Sequence, residues 1–361
     1  MKKNILVIQK YIAPFRIPVF QELNKCDDHS FTFLSATSTF APKCMADVTA
    51  SGINHSELKL AKFSRYLWLY GVNPKKRNAN VVILESSLNI LSNPFLMIKC
   101  KLLGIPVILW TKGMRQNRQP RKGLNRLYEK FCFSLASKYI VYGKSSKDDL
   151  LSKKIPAEKI YVAQNTVKTD HLLSLPNTND RLGEKALTFG YMGRLEADKN
   201  VLSIIKSFQK FIAKDSNADH KLVIAGAGPE KARLEKYVEE YKLNSHVSFL
   251  GRVPDSEVTD FFQKIDVYLS YSAHGLGIIE AMAAAKVILI TPEFGPETEG
   301  IIHLKTGIIS DDLNEVSFTD SMNFINSHRD ELFNLPQNAR SYCQKYFSLS
   351  SMINPFISSI D

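Results

Sequence analysis

The feature that most constrains this chain is an alternation. Short, continuous apolar runs recur along it: "ILVIQ" (5–9), "VVIL" (81–84), "VILW" (107–110), "LTFGYM" (187–192), "KLVIAG" (221–226) and "VILI" (287–290). Longer stretches with helical spacing lie between them, such as "RKGLNRLYEKFCFSLAS" (121–137) and the patterns at about 199–213, 229–241, 255–264 and 276–285. Such runs are what parallel strands buried on both faces look like. Their alternation with helices predicts doubly wound α/β layers. Further strands are expected at 31–36, 139–142, 159–163, 247–250 and 267–270.

A chain of 361 residues, 44% hydrophobic, can fill two cores. The polar, turn-rich "VKTDHLLSLPNTNDRLGEK" (167–185) marks the join. The expected organisation is a first Rossmann-like domain over 1–170, a linker over 171–186 and a second Rossmann-like domain over 187–335. The amphipathic tail, 336–361, is expected to cross back to the first domain. Open α/β sheets bind ligands beyond the carboxyl ends of their strands. Two such sheets facing a central cleft would put the functional groups in the loops that follow strands.

Charge separates the halves. Residues 1–170 carry a balance of +17 and residues 171–361 a balance of −6, within a net +11. A basic half can meet nucleic acid, an anionic membrane or a phosphorylated substrate, or be a solvated surface. No nucleic-acid recognition motif accompanies it. The five cysteines form no CxxC pair, so neither a disulfide framework nor a zinc site is indicated. The opening "MKKNILVIQKYIAP" is too short an apolar run for a signal peptide. The most apolar region, "NPFLMIKCKLLGIPVILW" (93–110), is broken by Lys99, Lys101 and Pro106 and cannot span a bilayer. The expected location is the cytoplasm.

The strand ends hold the candidate chemistry. "GYMGRLEADKN" (190–200) places Gly193, Arg194 and Lys199 after a strand, where a helix begins. Helix N-termini carry unpaired N–H groups and partial positive charge, so two added cations suit a diphosphate. "AGAGPEKARLEKY" (225–237) reads first as a tight turn with Pro229 opening a helix. In "FLGRVPDSEV" (249–258), the backbone at Gly251–Val253 could receive a flat base. "SYSAHGLGIIEAMAAAK" (270–286) sets Gly275 and Gly277 at a helix start, with His274 before them. Glu280, alone among small and apolar residues, is either on a wet face or aimed at a polyol.

"GRLEADKN", "LVIAGAGPE", "VSFLGRV" and "GLGIIEAMAAAKVIL" occur in this order, each after an expected strand. The chain here resembles the retaining glycosyltransferases of family 4, which have the GT-B fold. The resemblance covers about 160–310 and extends to "YIAPFRIPVFQEL" (11–23), which looks like the opening of bacterial polysaccharide transferases. It implies that Arg194 and Lys199 bind the donor diphosphate and stabilise it as leaving group. It implies that Glu280, the second Glu of an E-x7-E signature, holds the donor ribose. His274 and Gly275 match the pair beneath the donor sugar and phosphates, and Val253 a position whose backbone meets the base. Glu299 matches loosely a Glu after the Gly-rich loop. The first Glu of the signature falls on Ser272, followed by Ala273. The first strand's loop, "QKYIAPF" (9–15), has no glycine, and Arg16 would supply charge there. "LWTKGMRQ" (109–116) puts Lys112 and Gly113, but no His, where many relatives have one.

The resemblance further implies a nucleotide-sugar donor, a UDP-sugar in the first instance, with no metal or other cofactor. The acceptor would be a glycan or lipid-linked glycan in cell-surface polysaccharide synthesis. "KLAKFSRYLWLYGVNPKKR" (59–77), with Tyr66, Trp68 and Tyr70, and "MRQNRQPRKGLNR" (114–126) suit an anionic membrane surface; for 59–77 a packed helix and loop is the alternative. Two rival readings stand: a sugar-nucleotide epimerase of the same fold, and a non-catalytic nucleotide-sugar or glycan binder, which the Ser at 272 suggests.

Overall fold

The computed structural model describes residues 2–36, 48, 51–112, 123–177, 186–215, 219–293 and 295–361 of the chain. It divides into two compact units. One comprises Met1–Val167 with Leu349–Asp361, the other Lys168–Ser348. The chain therefore passes between units twice, at 167–168 and at 348–349.

The first unit is built on a parallel sheet. Its strands are β1 (Lys3–Ile8), β2 (His29–Ser35), β3 (His55–Glu57), β6 (Val81–Glu85), β7 (Val107–Thr111), β8 (Lys138–Val141) and β9 (Ile160–Val162), in the order β3-β2-β1-β6-β7-β8-β9. Along β1 the side chains alternate between two cores. Ile5 and Val7 join Phe20, Phe33 and Trp110 on one face, while Leu6 and Ile8 join Met97, Cys100 and Leu109 on the other. A strand buried on both faces reads as one unbroken apolar run, which is why these segments were legible.

Helix α1 (Ile17–Asn24) and the last helix, α12 (Leu349–Ile360), cover the first face. Phe356 of α12 meets the Trp110 ring edge-on, with centroids 4.7 Å apart. Helices α2 (Asn93–Leu102) and α3 (Leu124–Leu135) lie against each other on the other side, and α4 (Lys144–Ser152) packs beside β8 and β9. The segment 59–77, expected as helix and loop or as a membrane segment, contains an antiparallel hairpin, β4 (Lys59–Phe63) and β5 (Tyr66–Tyr70). Alternation decides it: Leu67 and Leu69 are buried while Tyr70 is exposed. β5 is anchored to the loop after β6, where Leu67 N–H donates to Asn89 O (2.7 Å) and Leu91 N–H to Leu67 O (2.9 Å).

The second unit repeats the theme. Strands β10 (Thr188–Met192), β11 (Lys221–Ala225), β12 (Val247–Gly251), β13 (Val267–Ser270), β14 (Val287–Ile290) and β15 (Ile308–Ile309) pair in parallel, in the order β12-β11-β10-β13-β14-β15. Its helices are α5 (Asp170–Leu173), α6 (Val201–Lys214), α7 (Lys231–Glu240), α8 (Val258–Lys264), α9 (Gly277–Ala283), α10 (Glu315–Ser327) and α11 (Leu335–Tyr346). Phe189, Phe208 and Phe211 centre its core, with ring centroids 5.2–6.2 Å apart. The tail read as one amphipathic stretch is two helices, α11 in the second unit and α12 in the first.

Candidate functional site

In the second unit the strand order reverses between β10 and β13. Loops leaving neighbouring strands at such a point diverge to opposite faces and open a crevice beyond their carboxyl ends. The two loops there are 193–200 and 271–276, and they contain most of the residues expected to bind a donor.

The first loop is held from behind. Gly193 N–H donates to Ala225 O (3.0 Å), Leu195 N–H to Ala227 O (2.9 Å) and Glu230 N–H to Leu195 O (3.0 Å). The glycine turn after β11 thus backs the Arg194 segment. Glycine is needed there for close approach: a Cβ on Gly226, whose φ is +157°, would lie 1.9 Å from Gly193 O, and one on Gly228 2.2 Å from Leu195 O.

Arg194 leaves this support as an exposed side chain, and its guanidinium pairs with Glu196 at 2.7 Å. Lys199 does not begin the helix, as the sequence spacing suggested. It ends a short 3-10 turn, Ala197–Lys199, before the left-handed Asn200 and helix α6. Its ammonium crosses to the second loop and donates to the Ala273 carbonyl. Burial pushes its pKa down.

The second loop is held by polar contacts on all sides. Ser272 Oγ donates to Asp198 O at 2.6 Å, a second bond between the loops. Ala273 takes a left-handed φ of +43°, and its N–H donates to Glu293 Oε2 at 2.8 Å. The Thr291 hydroxyl donates to Tyr271 O. His274 is buried, with Nδ1 2.7 Å from Ser270 Oγ and Nε2 without a partner among the described residues. Burial, the dominant cause, pushes its pKa down to about 4, so the ring is neutral near pH 7. Gly275 is exposed, and a Cβ there would meet open space. Gly277 opens α9 against Tyr268, whose hydroxyl would lie 2.2 Å from an added Cβ. That hydroxyl donates to Met192 O (3.1 Å), tying the carboxyl ends of β10 and β13 together.

Glu280 follows in the first turn of α9. Burial pushes its carboxyl up to about 7, and the nearby charge of Asp255 adds to this. Asp255 belongs to the loop after β12, so this loop, with half-buried Val253, comes near Glu280. Gly193, Arg194, Lys199, Ser272, His274, Gly275, Gly277 and Glu280 are therefore gathered at one end of one sheet, with Val253 on the neighbouring loop. Glu299 lies half-buried beyond the 3-10 turn Pro296–Thr298, one strand further along.

Three further expected residues belong to the first unit. Arg16 belongs to the first unit and is 4% exposed. Its guanidinium donates to Asn165 Oδ1 (2.7 Å) and lies 4.9 Å from the Trp110 centroid and 5.0 Å from that of Tyr142. That is a cation held by aromatic faces inside the fold. Lys112 directly follows β7 with its side chain exposed, and its carbonyl accepts from Ser146 Oγ at 2.7 Å. Gly113 lies outside the described residues.

Glu293 was missed by sequence reasoning. Its signal was present: "ITPEFG" (290–295) follows β14, the strand beside β13, so its carboxylate can reach the loop after β13.

Known proteins supply an independent comparison. Residues 178–342 match the family model described as "Glycosyl transferases group 1". Alpha-monoglucosyldiacylglycerol synthase of Acholeplasma laidlawii is 29% identical over 102 residues, 27% of this chain and 25% of that protein. Amylovoran biosynthesis glycosyltransferase AmsD of Erwinia amylovora is 28% identical over 140 residues, 38% of this chain and 37% of that protein. The match thus spans 25% and 37% of these two relatives' length. Among solved structures, a glycosyltransferase from Rickettsia africae superposes with a TM-score of 0.77 at 17% identity, covering 99% of this chain and 98% of that one. Anabaena HepE in complex with UDP and glucose gives 0.71 at 14%, covering 99% of each chain. The architecture, two Rossmann-like α/β units, is the GT-B fold of glycosyltransferases, and residues 178–342 carry the segment that matches group 1 of those enzymes.

Proposed function

We propose that this chain is a retaining, metal-independent glycosyltransferase that moves a sugar from a UDP-sugar to a glycan or lipid-linked glycan acceptor, at the inner face of a membrane, in cell-surface polysaccharide synthesis. The observation that carries the reading is the pair of cations, Arg194 and Lys199, on the loop at the switch point of the second unit. The comparisons support the class: HepE was crystallised with UDP and glucose, and the first relative is named for glucosyl transfer to a lipid.

In this mechanism the glycosidic C–O bond breaks and its electron pair passes to the diphosphate oxygen. Arg194 and Lys199 stabilise the charge that grows there, worth most in a site that excludes water. The acceptor hydroxyl attacks from the face that the leaving group vacates and gives its proton to a phosphate oxygen. Neutral His274 adds no positive charge beneath the sugar, and its Nε2 is available as a single donor or acceptor. Glu280 takes the ribose hydroxyls.

A non-catalytic binder is the second reading, favoured by Ser272, whose hydroxyl is bonded to Asp198 O where a carboxylate was expected. Thermal shift with UDP, GDP, ADP and CMP, followed by transfer or hydrolysis assays with the corresponding sugars in chelator, tests both. The expected outcome is stabilisation by UDP that Arg194→Ala abolishes, with turnover in chelator lowered about a hundredfold or more in Lys199→Ala. Product NMR should show the donor's anomeric configuration. UDP binding with neither transfer nor hydrolysis would leave the binder reading standing, and no response to any nucleotide would end both.

A further inference from the structure

Helices α2 and α3 each bury one face. On α2, Met97 and Cys100 are fully buried. On α3, Cys132 is buried and the Tyr128 hydroxyl donates to Ile90 O at 2.6 Å. Each helix also carries a second apolar stripe with the same helical spacing, and it faces outward. Phe95, Ile98 and Leu102 are 60%, 39% and 82% exposed. Leu124, Leu127 and Phe131, at the same three- and four-residue steps, are 83%, 63% and 45% exposed. The two helices pack against each other. A helix apolar on two sides needs an apolar medium on both, and exposed patches of this kind mark interaction surfaces.

The hairpin β4–β5 extends the patch. The Trp68 ring lies 5.1 Å from that of Phe95 and 6.4 Å from that of Tyr70. Phe63, near the hairpin turn, is 60% exposed. Between hairpin and helix a cavity of about 250 Å³ is lined by Trp68, Tyr70, Phe95 and Lys99 among others. Amphipathic rings of this sort settle where an apolar phase meets water.

Charge selects the partner. The hairpin with its turn and the two helices hold seven cations, Lys59, Lys62 and Arg65 among them, against one carboxylate, Glu129. That carboxylate is only 14% exposed and pairs with Lys153 at 3.5 Å. A second copy of this chain would bring like charge against like charge. An anionic bilayer offers both an apolar layer for the stripes and phosphates for the lysines. No helix among the described residues is long and apolar enough to cross a membrane, so the contact would be peripheral.

We propose that the outward face of α2 and α3, with hairpin β4–β5, docks onto an anionic lipid surface. It narrows the two sequence segments first considered to a defined face: the hairpin lies within 59–77, while 114–122 of the second segment lie outside the described residues. It rests on the membrane-acceptor reading only for its biological purpose. The hairpin is bonded to the loop that follows β6, so the patch adjoins the strand-carboxyl end of the first sheet, where an acceptor would be presented.

Flotation of the full chain with phosphatidylcholine vesicles, with and without one-third phosphatidylglycerol, tests it. The wild type is expected to float with the anionic vesicles, and about tenfold less at high salt or on phosphatidylcholine alone. Phe95→Ser with Leu127→Ser, and separately Lys99→Glu with Lys130→Glu, should each weaken binding about tenfold or more, while Leu313→Ser with Val316→Ser in the other unit should not. Calorimetric unfolding of the first unit, read on every variant, reports that its fold is intact, and the UDP-induced thermal shift of the second unit tests the transferase reading separately. No flotation of the wild type, or equal flotation of the helix variants, overturns the proposal. So does a dimer in light scattering that the same variants dissociate, since the patch would then be covered by a second copy.

Discussion

At the residue scale, two titratable groups, buried His274 and half-buried Glu280, sit six residues apart and pull stability in opposite directions. Glu280 has its pKa raised by burial from the usual carboxylate value to about 7. The folded chain therefore keeps a proton that the unfolded chain releases, and stability falls as pH rises from about 4.5 through 7. His274 is lowered from 6.5 to about 4, so its contribution is present above 6.5 and is lost as pH falls toward 4. Across the shared window the two effects oppose each other. Glu280→Gln should unmask loss of stability on acidification, and His274→Phe should unmask loss on going from acid to neutral pH. Denaturant unfolding of both variants between pH 4 and 8 checks the signs; identical pH slopes in wild type and both variants would show that neither group is perturbed. Glu293 acts on the same loop through the Ala273 N–H. Glu293→Gln retains an acceptor and should keep UDP-sugar affinity. Glu293→Ala leaves that N–H without its acceptor and should lower affinity about tenfold, read by calorimetric titration.

At the element scale, what matters is how loops are braced. The glycine turn after β11 was legible as a turn, but its purpose was not. The purpose is contact with a backbone thirty residues earlier, and no local pattern encodes which carbonyl will lie within 2 Å of a missing Cβ. Gly226→Ala must displace the Gly193 carbonyl and adopt an unfavourable φ, so a loss on the order of 4 kcal/mol is expected. UDP affinity should fall with it, because Arg194 is carried by the displaced segment. A Tm within 2 °C of wild type, about the scatter of a neutral surface change, would contradict this. The hairpin is the reverse case. Its alternation was in the sequence, but the aromatic and lysine content of 59–77 suggested a membrane segment or helix before a strand pair.

At the scale of the molecule, the last helix belongs to the core of the first unit. Met352, Phe356 and Ile360 are buried there, and Arg16 donates to the Met352 sulfur at 3.2 Å. Phe356→Ala should cost about 3–5 kcal/mol. A chain ending at Ser348 should lose cooperative unfolding of the first unit while the second keeps its UDP response. Wild-type stability of that truncation, measured by calorimetry, would show that the helix is dispensable.

The sequence by itself determined the two α/β units, the positions along the chain of most of their buried strands and the segments that carry Arg194, Lys199 and Glu280. Those are local facts: an apolar run buried on both faces, and a polar group at its carboxyl end, need no knowledge of distant contacts. Only the tertiary structure decided that Lys199 is bonded across to Ala273, that Glu293 takes the N–H beside Ser272, and that Arg16 is enclosed by Trp110 and Tyr142. It also decided that two helices would leave a second apolar face uncovered. Each of these depends on which strands become neighbours, and strand order is set by the packing of the whole sheet rather than by any one segment.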